Sequence, residues 1–407
     1  MARSKPHWHD GNQIELLQNG EQFFPALCAA IDAARSSVHL ETYIFELDRT
    51  GLKVLDHLRG ACERGLKVRV ALDGFGCFAT APELTRRLSE MGAICRVYRP
   101  EPRGVSRYRI DPARLRRLHR KTAVIDSRLA FVGGINIIDD LKDVPNDGVG
   151  PRPRFDFSVR VRGPVVLDID HAQDVLWLRL ARHTRHDVHH TYQRVRDWFS
   201  RRRALRSRTI PRFQPGMRAA LLLRDNIRHR QTIENAYLRA MEGASKEILV
   251  ANAYFFPGHR LRQVLARAAA RGVRVRLLLQ GRQEYFLQFR ATRSMHHELL
   301  KEGIEIYEYM ASYLHAKVAV VDSSATVGSS NLDPFSLLLA REANIVVHDA
   351  AFAATLQAAL EAEIDANTTC VTLQSLQRRG WVERTIDAFA YFLLRVGVAL
   401  TGESSRY

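Results

Sequence analysis

His119-Arg120-Lys121-Thr122-Ala123-Val124-Ile125-Asp126 and His315-Ala316-Lys317-Val318-Ala319-Val320-Val321-Asp322 spell one pattern twice: His-X-Lys, four residues, Asp. In both copies an apolar run follows the lysine and predicts a buried strand. Side chains alternate along a strand, so His119 and Lys121 share a face, as do His315 and Lys317. Each run enters a small-residue loop that ends in Asn: Gly133-Gly134-Ile135-Asn136 and Gly328-Ser329-Ser330-Asn331. A lone His-X-Lys arises by chance. Two full copies in matching contexts are a different matter.

Working outward, the repeat covers both halves of the chain. Arg64-Gly65-Leu66-Lys67-Val68-Arg69-Val70-Ala71-Leu72-Asp73-Gly74 recurs as Arg271-Gly272-Val273-Arg274-Val275-Arg276-Leu277-Leu278-Leu279-Gln280-Gly281. Upstream of each lies a short aromatic stretch read as a strand, Glu41-Thr42-Tyr43-Ile44-Phe45 and Asn252-Ala253-Tyr254-Phe255-Phe256. Leu52 to Glu63 has helical spacing, with Leu52, Leu55, Leu58 and Cys62 on one stripe. Gly65 stops that helix, and Val68, Val70 and Leu72 begin a strand. Leu261 to Leu279 reads the same way. Helix, glycine, apolar strand predicts a mixed or parallel α/β sheet.

The composition agrees with two packed domains. The chain has 407 residues, more than one core usually serves, and is 46% hydrophobic. Its 61 Lys and Arg against 44 Asp and Glu give a net charge of +17, which favours anionic partners such as phospholipid headgroups or nucleic acid. Cys28, Cys62, Cys77, Cys95 and Cys370 are odd in number and scattered, against a disulfide framework or structural zinc and in keeping with a reducing compartment. Met1 to Gly20 is polar, unlike a signal peptide, and no uncharged apolar run reaches the roughly 18–20 residues of a spanning helix.

Two basic segments and the tail carry open alternatives. Arg179 to Arg212, including Arg201-Arg202-Arg203, reads either as a solvated connector or as a surface for anionic lipid. Arg103 to Arg117 leads directly into His119. Ile386 to Leu400 is apolar almost all round, and Arg378, Arg379, Trp381 and Arg384 precede it. It is too short to span. It reads either as an interfacial docking helix or as a helix that covers the core.

Two such faces brought together would place two imidazoles and two ammoniums around one phosphate. A neutral imidazole can attack phosphorus and form a phosphohistidine. The other, protonated, gives its proton to the departing alkoxide and takes one from the incoming alcohol. Lysines and loop amides stabilise the charge on the non-bridging oxygens. The two histidines must begin in different protonation states, so their neighbours must push their pKa values apart. This scheme needs no metal or other cofactor, and no carboxylate cluster is spaced to hold a divalent ion. Asp126 and Asp322 belong to the motif and are counted with its catalytic residues, although their place at strand ends favours a structural role.

These residues resemble the phospholipase D superfamily, whose hallmark is this duplicated motif. The resemblance covers nearly the whole chain and is nearest to the bacterial cardiolipin synthases without N-terminal membrane helices. It includes Asn19-Gly20-Glu21-Gln22, Ala251-Asn252-Ala253-Tyr254-Phe255-Phe256-Pro257-Gly258 and Ala325-Thr326-Val327-Gly328-Ser329-Ser330-Asn331-Leu332-Asp333-Pro334. It implies an α/β fold of two phospholipase D-like sandwich domains about a pseudo-twofold axis, with one active site between them. The expected divisions are 1–178, a basic connector 179–214, a second domain 215–370 and a tail 371–407.

By the same resemblance, His119 is the nucleophile and His315 the acid and base. Lys121, Lys317, Asn136, Asn331 and Ser329 contact the phosphate. A carboxylate behind each histidine is also implied. Glu342, eleven residues after Asn331, takes that place in the second half. Asp156, after a longer loop with Asp147 and Pro151, is the candidate in the first. The implied reaction moves a phosphatidyl group from phosphatidylglycerol or phosphatidylethanolamine to phosphatidylglycerol, giving cardiolipin. The implied setting is peripheral, on the anionic cytoplasmic face of a bacterial membrane. Nucleic acid is not obligatory. One chain suffices for the site, and oligomeric state is left open. Water as acceptor would make a phospholipase, a nucleic-acid substrate a nuclease, and loss of chemistry a basic binding protein.

Overall fold

The computed structural model describes residues 6–102, 116–142, 150–181, 215–226 and 229–399. Most of the Arg103 to Arg117 cluster, Asp147, and all of the expected connector beyond Ala181 lie outside the described residues.

Fifteen strands run in one hydrogen-bonded order, and its centre is the pairing of β1 (Trp8–Gln18) with β8 (Met217–Arg224). On one side of that pair follow β7 (Phe157–Arg162), β6 (Leu129–Gly133), β5 (Thr122–Ile125), β2 (Ser37–Thr42), β3 (Lys67–Asp73) and β4 (Ile94–Tyr98). On the other follow β14 (Glu342–His348), β13 (Ser324–Gly328), β12 (Lys317–Val321), β9 (Glu247–Asn252), β10 (Arg274–Gln280) and β11 (Glu305–Tyr309). The two series match strand for strand. Strands β2–β3–β4 and β9–β10–β11 are parallel, whereas β5, β6 and β7 and their counterparts run antiparallel. Only β15 (Thr368–Val371), on the free edge of β11, has no counterpart among the described residues.

The repeated sequence folds locally as expected, with one shift of phase. Helix α2 (Arg49–Glu63) starts at Asp48, whose side chain accepts from Gly51 N. Its buried stripe is Val54, Leu55, Leu58 and Ala61, while Leu52 is 39% exposed. The expected stripe put Leu52 on the inner face, but the buried arc centres on Gly51, Val54, Leu55, Leu58 and Ala61, and Leu52, one residue on from Gly51, is turned about 100° away from it. Gly65 and Gly272 follow the helices at φ of +77° and +85°, a conformation that costs glycine little. The aromatic stretches are not strands throughout. β2 stops at Thr42 and β9 at Asn252, because the chain beyond them bonds to the Asn loops instead. Glu46 N donates to Ile137 O, and Phe256 N to Leu332 O.

Three large apolar clusters hold this arrangement together. Helices α1 (Asn19–Asp32) and α2 cover one outer face around Leu27, Ile31, Leu58 and Leu72. Helices α5 (Thr232–Glu242), α6 (His259–Ala270) and α7 (Phe286–Ser294) cover the other around Ile233, Leu265, Leu277 and Ala291. The third cluster draws Val132, Phe157 and Val159 from one half and Val318, Val327 and Ile345 from the other. The two half-sheets therefore share an inner core. Burial at roughly 25 cal/mol per Å² makes such a core costly to open. Helix α4 (Val165–Ala181), after β7, and α9 (Ala350–Asn367), after β14, contribute matching side chains to it. Helix α4 thus runs into the first residues of the expected connector. The five cysteines are all free.

The tail helix covers the core on one side and leaves apolar residues exposed on the other. Helix α11 (Trp381–Ala399) packs on α7 and buries Asp387, Ala390, Leu394 and Val398. Asp387 bonds to Arg379 and lies 3.4 Å from Arg290. The opposite side exposes Trp381, Phe389, Phe392, Leu393 and Val396. Among the described residues no helix is long and apolar enough to cross a membrane.

Candidate active site

The segment that leads into each histidine is set by two backbone zippers. Arg341 N donates to Arg117 O, and His119 N donates to Arg341 O. Phe155 N donates to Tyr313 O, and His315 N to Phe155 O. The residue before each histidine is fixed by a side chain at the end of a repeated strand: Asp73 Oδ2 accepts from Leu118 N at 2.7 Å, and Gln280 Oε1 from Leu314 N at 3.1 Å.

These zippers decide which carboxylate meets which ring, and they overturn the expected pairing. Glu342 lies behind His119, with Oε1 2.9 Å from Nδ1. Asp156 lies behind His315, with Oδ2 2.6 Å from Nδ1. Each histidine is held by the opposite half. The expectation placed each carboxylate in its histidine's own half because sequence order follows the chain. Glu342 begins β14, and its preceding residue runs beside Leu118 rather than Leu314; Asp156 follows Phe155, which runs beside Leu314.

Both histidines, Asn136 and Asn331 line one cavity of about 360 Å³ between the halves, with Tyr43, Arg117, Asp156, Arg154, Tyr254 and Glu284. Asn136 Oδ1 accepts from Ile44 N, leaving its Nδ2 to donate into the cavity. Asn331 Oδ1 is buried without a partner among the described residues, and an amide that rotates there presents a donor instead. Tyr43 packs edge-on against His119, with ring centroids 4.6 Å apart. The lysines sit one layer back from the cavity. Lys121 Nζ donates to His119 O, and Lys317 Nζ to His315 O.

Two other expected site residues are elsewhere. Asp126 accepts from the backbone N–H groups of Arg35, Ser36 and Ser37, and Asp322 from those of Ser245, Lys246 and Glu247. Both sit at positive φ, in the turn after the strand that carries the motif. They pin the start of the neighbouring strand and do not join the catalytic cluster. Ser329 also departs from its expected place. Its hydroxyl donates to Glu342 Oε2, so it supports the carboxylate and does not line the cavity. At the matching position Gly134 has no room for a side chain, since a Cβ would lie 2.3 Å from Asp156 Oδ1.

Burial shapes the electrostatics of the site. It lowers Lys121 to about 7 and Lys317 to about 8, so a phosphate in the cavity would restore the charge on both. Burial lowers His119, and Glu342 opposes that fall. Burial lowers His315 further below the ordinary range, with Lys317 and Arg154 adding to it. Burial raises its partner Asp156 to about 7. A raised carboxyl and a lowered imidazole in contact hold one proton as a pair, whichever atom carries it.

Sequence reasoning missed Tyr43, Asp73 and Gln280, although all three stood inside the repeated stretches. It also missed Arg154, Tyr254 and Glu284 as cavity residues. For Arg154 and Glu284 no sequence signal existed, since neither is repeated.

A fold of two matched halves, with paired His-Lys motifs meeting in one cavity, defines a phospholipase D-type phosphodiester site. The chain belongs to the family described as cardiolipin synthase, PLD-like domain, whose model matches residues 27–140 and 237–364. It is 38% identical to cardiolipin synthase B of Escherichia coli K12 over 400 residues, 98% of this chain and 91% of that protein. It is 28% identical to a probable cardiolipin synthase of Bacillus subtilis, covering 93% of this chain and 71% of the other. Among solved structures, phosphatidylserine synthase of Haemophilus influenzae shares the fold, with a TM-score of 0.67 at 14% identity over 96% of this chain and 95% of that one.

Proposed function

We infer that this chain is a cardiolipin synthase that transfers a phosphatidyl group to the glycerol headgroup of phosphatidylglycerol. The observation that carries the reading is the pair of cavity histidines, each bound at Nδ1 by a carboxylate from the opposite half. That bond fixes the ring and leaves Nε2 for chemistry.

His119 is the nucleophile in this reading. Its Nε2 lone pair forms a bond to phosphorus, and the bond from phosphorus to the leaving alcohol's oxygen breaks. The proton held by the His315–Asp156 pair goes to that oxygen. In the second step the acceptor hydroxyl oxygen attacks phosphorus, the P–N bond breaks, and the pair receives the hydroxyl proton. Glu342 compensates the positive charge that the phosphorylated ring carries. Lys121 and Lys317 supply positive charge behind the rings, and Asn136 and Asn331 donate to the non-bridging oxygens.

The exposed face of the tail supports the proposal of a peripheral setting on an anionic membrane, placed in this reading at the cytoplasmic face. Phe389, Phe392, Leu393 and Val396 are exposed at helical spacing on α11, and Arg378, Arg384 and Arg395 lie nearby in sequence. The helix packs on α7, where Phe286 and the preceding Tyr285 are also exposed; Tyr285 lines the cavity.

Lipid mass spectrometry of pure protein incubated with phosphatidylglycerol vesicles tests the reaction. Cardiolipin and glycerol in equal amounts are expected. Phosphatidic acid alone would replace transfer by hydrolysis, and plasmid cleavage without lipid turnover would make the chain a nuclease. For the docking face, Phe389→Ser combined with Phe392→Ser should weaken binding to these vesicles by roughly tenfold or more, from lost apolar burial. Unchanged binding would remove α11 from the docking surface.

A further inference from the structure

The strand registers allow each cavity residue to be compared with its counterpart across the pseudo-twofold axis. Thr42 pairs with Leu72 as Asn252 pairs with Leu279, so Tyr254 corresponds to Ile44. Counting four residues from the matched strand ends Asp73 and Gln280, Glu284 corresponds to Cys77. Counting back two from each carboxylate, Arg154 corresponds to Ala340. The positions of Ile44 and Ala340, which line the cavity, and of the buried Cys77 are thus taken on the His315 side by Tyr254, Arg154 and Glu284.

The three polar side chains form one unit. Tyr254 Oη donates to Glu284 Oε2 at 2.6 Å, and Arg154 NH1 lies 3.3 Å from Glu284 Oε1. Glu284 is 8% exposed, yet it lines the cavity that holds both histidines. Burying a carboxylate costs several kcal/mol unless partners hold it. The other half spends nothing on this position, since the Cys77 thiol simply donates to Tyr43 O. Symmetry breaks here in the side chains that meet the cavity.

We propose that Glu284, positioned by Tyr254 and Arg154, is the alcohol site of the enzyme and binds the vicinal diol of a glycerol headgroup. This rests on the transfer reading given above. If His119 attacks phosphorus, the leaving alcohol departs on the opposite side, and the incoming alcohol enters there too. That is the His315 side, where the acid and base stands. With phosphatidylglycerol as donor and acceptor, both alcohols are glycerol headgroups, so one diol site serves both steps. As the leaving group the headgroup offers Glu284 both of its free hydroxyls; as the acceptor it offers Glu284 one, while the other, reacting hydroxyl faces His315 Nε2. An alcohol must be held in this way to compete with water for the phosphohistidine.

Partitioning of the covalent intermediate tests the site. Wild-type protein is given phosphatidylethanolamine vesicles with glycerol, 1-propanol or neither, and the phosphatidyl alcohol and phosphatidic acid formed are counted. Glycerol is expected to be favoured over 1-propanol. Glu284→Gln should lower the ratio of phosphatidylglycerol to phosphatidic acid by about tenfold to a hundredfold, the discrimination lost when a charged hydrogen-bond partner is removed. Tyr254→Phe should lower it less, by roughly threefold, and decides the matter if Glu284→Gln yields no product. An unchanged ratio in the variant that turns over would overturn the diol site. Wild-type protein that forms phosphatidic acid and never a phosphatidyl alcohol would instead overturn the transfer reading.

Discussion

The His119 and His315 half-sites share one plan and differ in a few side chains. Each has a histidine bonded at Nδ1 to a buried carboxylate, a lysine on its own histidine's carbonyl oxygen, and an Asn from the following loop. Each is also tied down by an aspartate at the end of the motif strand. The differences include Ile44, Cys77, Ala340 and Ser329 on the His119 side, against Tyr254, Glu284, Arg154 and Gly134 on the His315 side. What both steps of a double displacement need is present twice. What the proposed alcohol site needs is present once.

The largest effect should come from the rings themselves. His119→Ala and His315→Ala should each lower cardiolipin formation by roughly 10⁴-fold or more, as removal of a nucleophile or its acid does. The covalent adduct separates them. Rapid quench with labelled lipid should trap a phosphatidyl adduct on His315→Ala protein and none on His119→Ala. An adduct on the His119→Ala protein would exchange the roles of the two halves.

A smaller effect concerns pH. Lys121 at about 7 and Lys317 at about 8 lose their charge as pH rises, so kcat/KM should fall through that range, since it reports the free enzyme. Lys121→Arg keeps a cation at all these pH values and should carry the fall to higher pH, even if the maximum is lower. A fall that stays in place would assign it to the His315–Asp156 pair instead.

The smallest catalytic effect belongs to the feature the halves share most closely. Asp322→Ala should cost about 1–2 kcal/mol of stability by thermal or denaturant unfolding, from lost bonds to the backbone, with little change in the turnover of folded protein. Burial pushes the Asp322 carboxyl upward, but the amides of Glu247, Ser245 and Lys246 outweigh it and hold it below the ordinary range. That stability is complete above the unfolded pKa of about 4 and lost as pH falls through the lowered folded value. Turnover that collapsed in folded Asp322→Ala protein would return this aspartate to the catalytic set.

The sequence made the duplication legible because periodicity and spacing are local properties. The strand after each histidine, the helix-glycine-strand units and the order of elements could be read from Val318 to Val321 or from Leu55 to Val70. The crossed carboxylates could not. Glu342 and His119 are 223 positions apart, and only the zipper of Arg341 against Leu118 brings them together. Lys121, too, was placed correctly along the chain yet not in depth, since strand alternation gives a direction but not which layer a flexible side chain reaches. Arg154 and Glu284 were silent because a feature that occurs once leaves no pattern.

The crossing of the carboxylates also bears on how the enzyme comes into being. A ribosome delivers His119 long before Glu342, and Asp156 long before His315. Until Glu342 is made His119 has no carboxylate, whereas Asp156 already stands in the chain when His315 is added. On the proposed mechanism, a chain that stops short of Glu342 leaves His119 without the group that orients its ring.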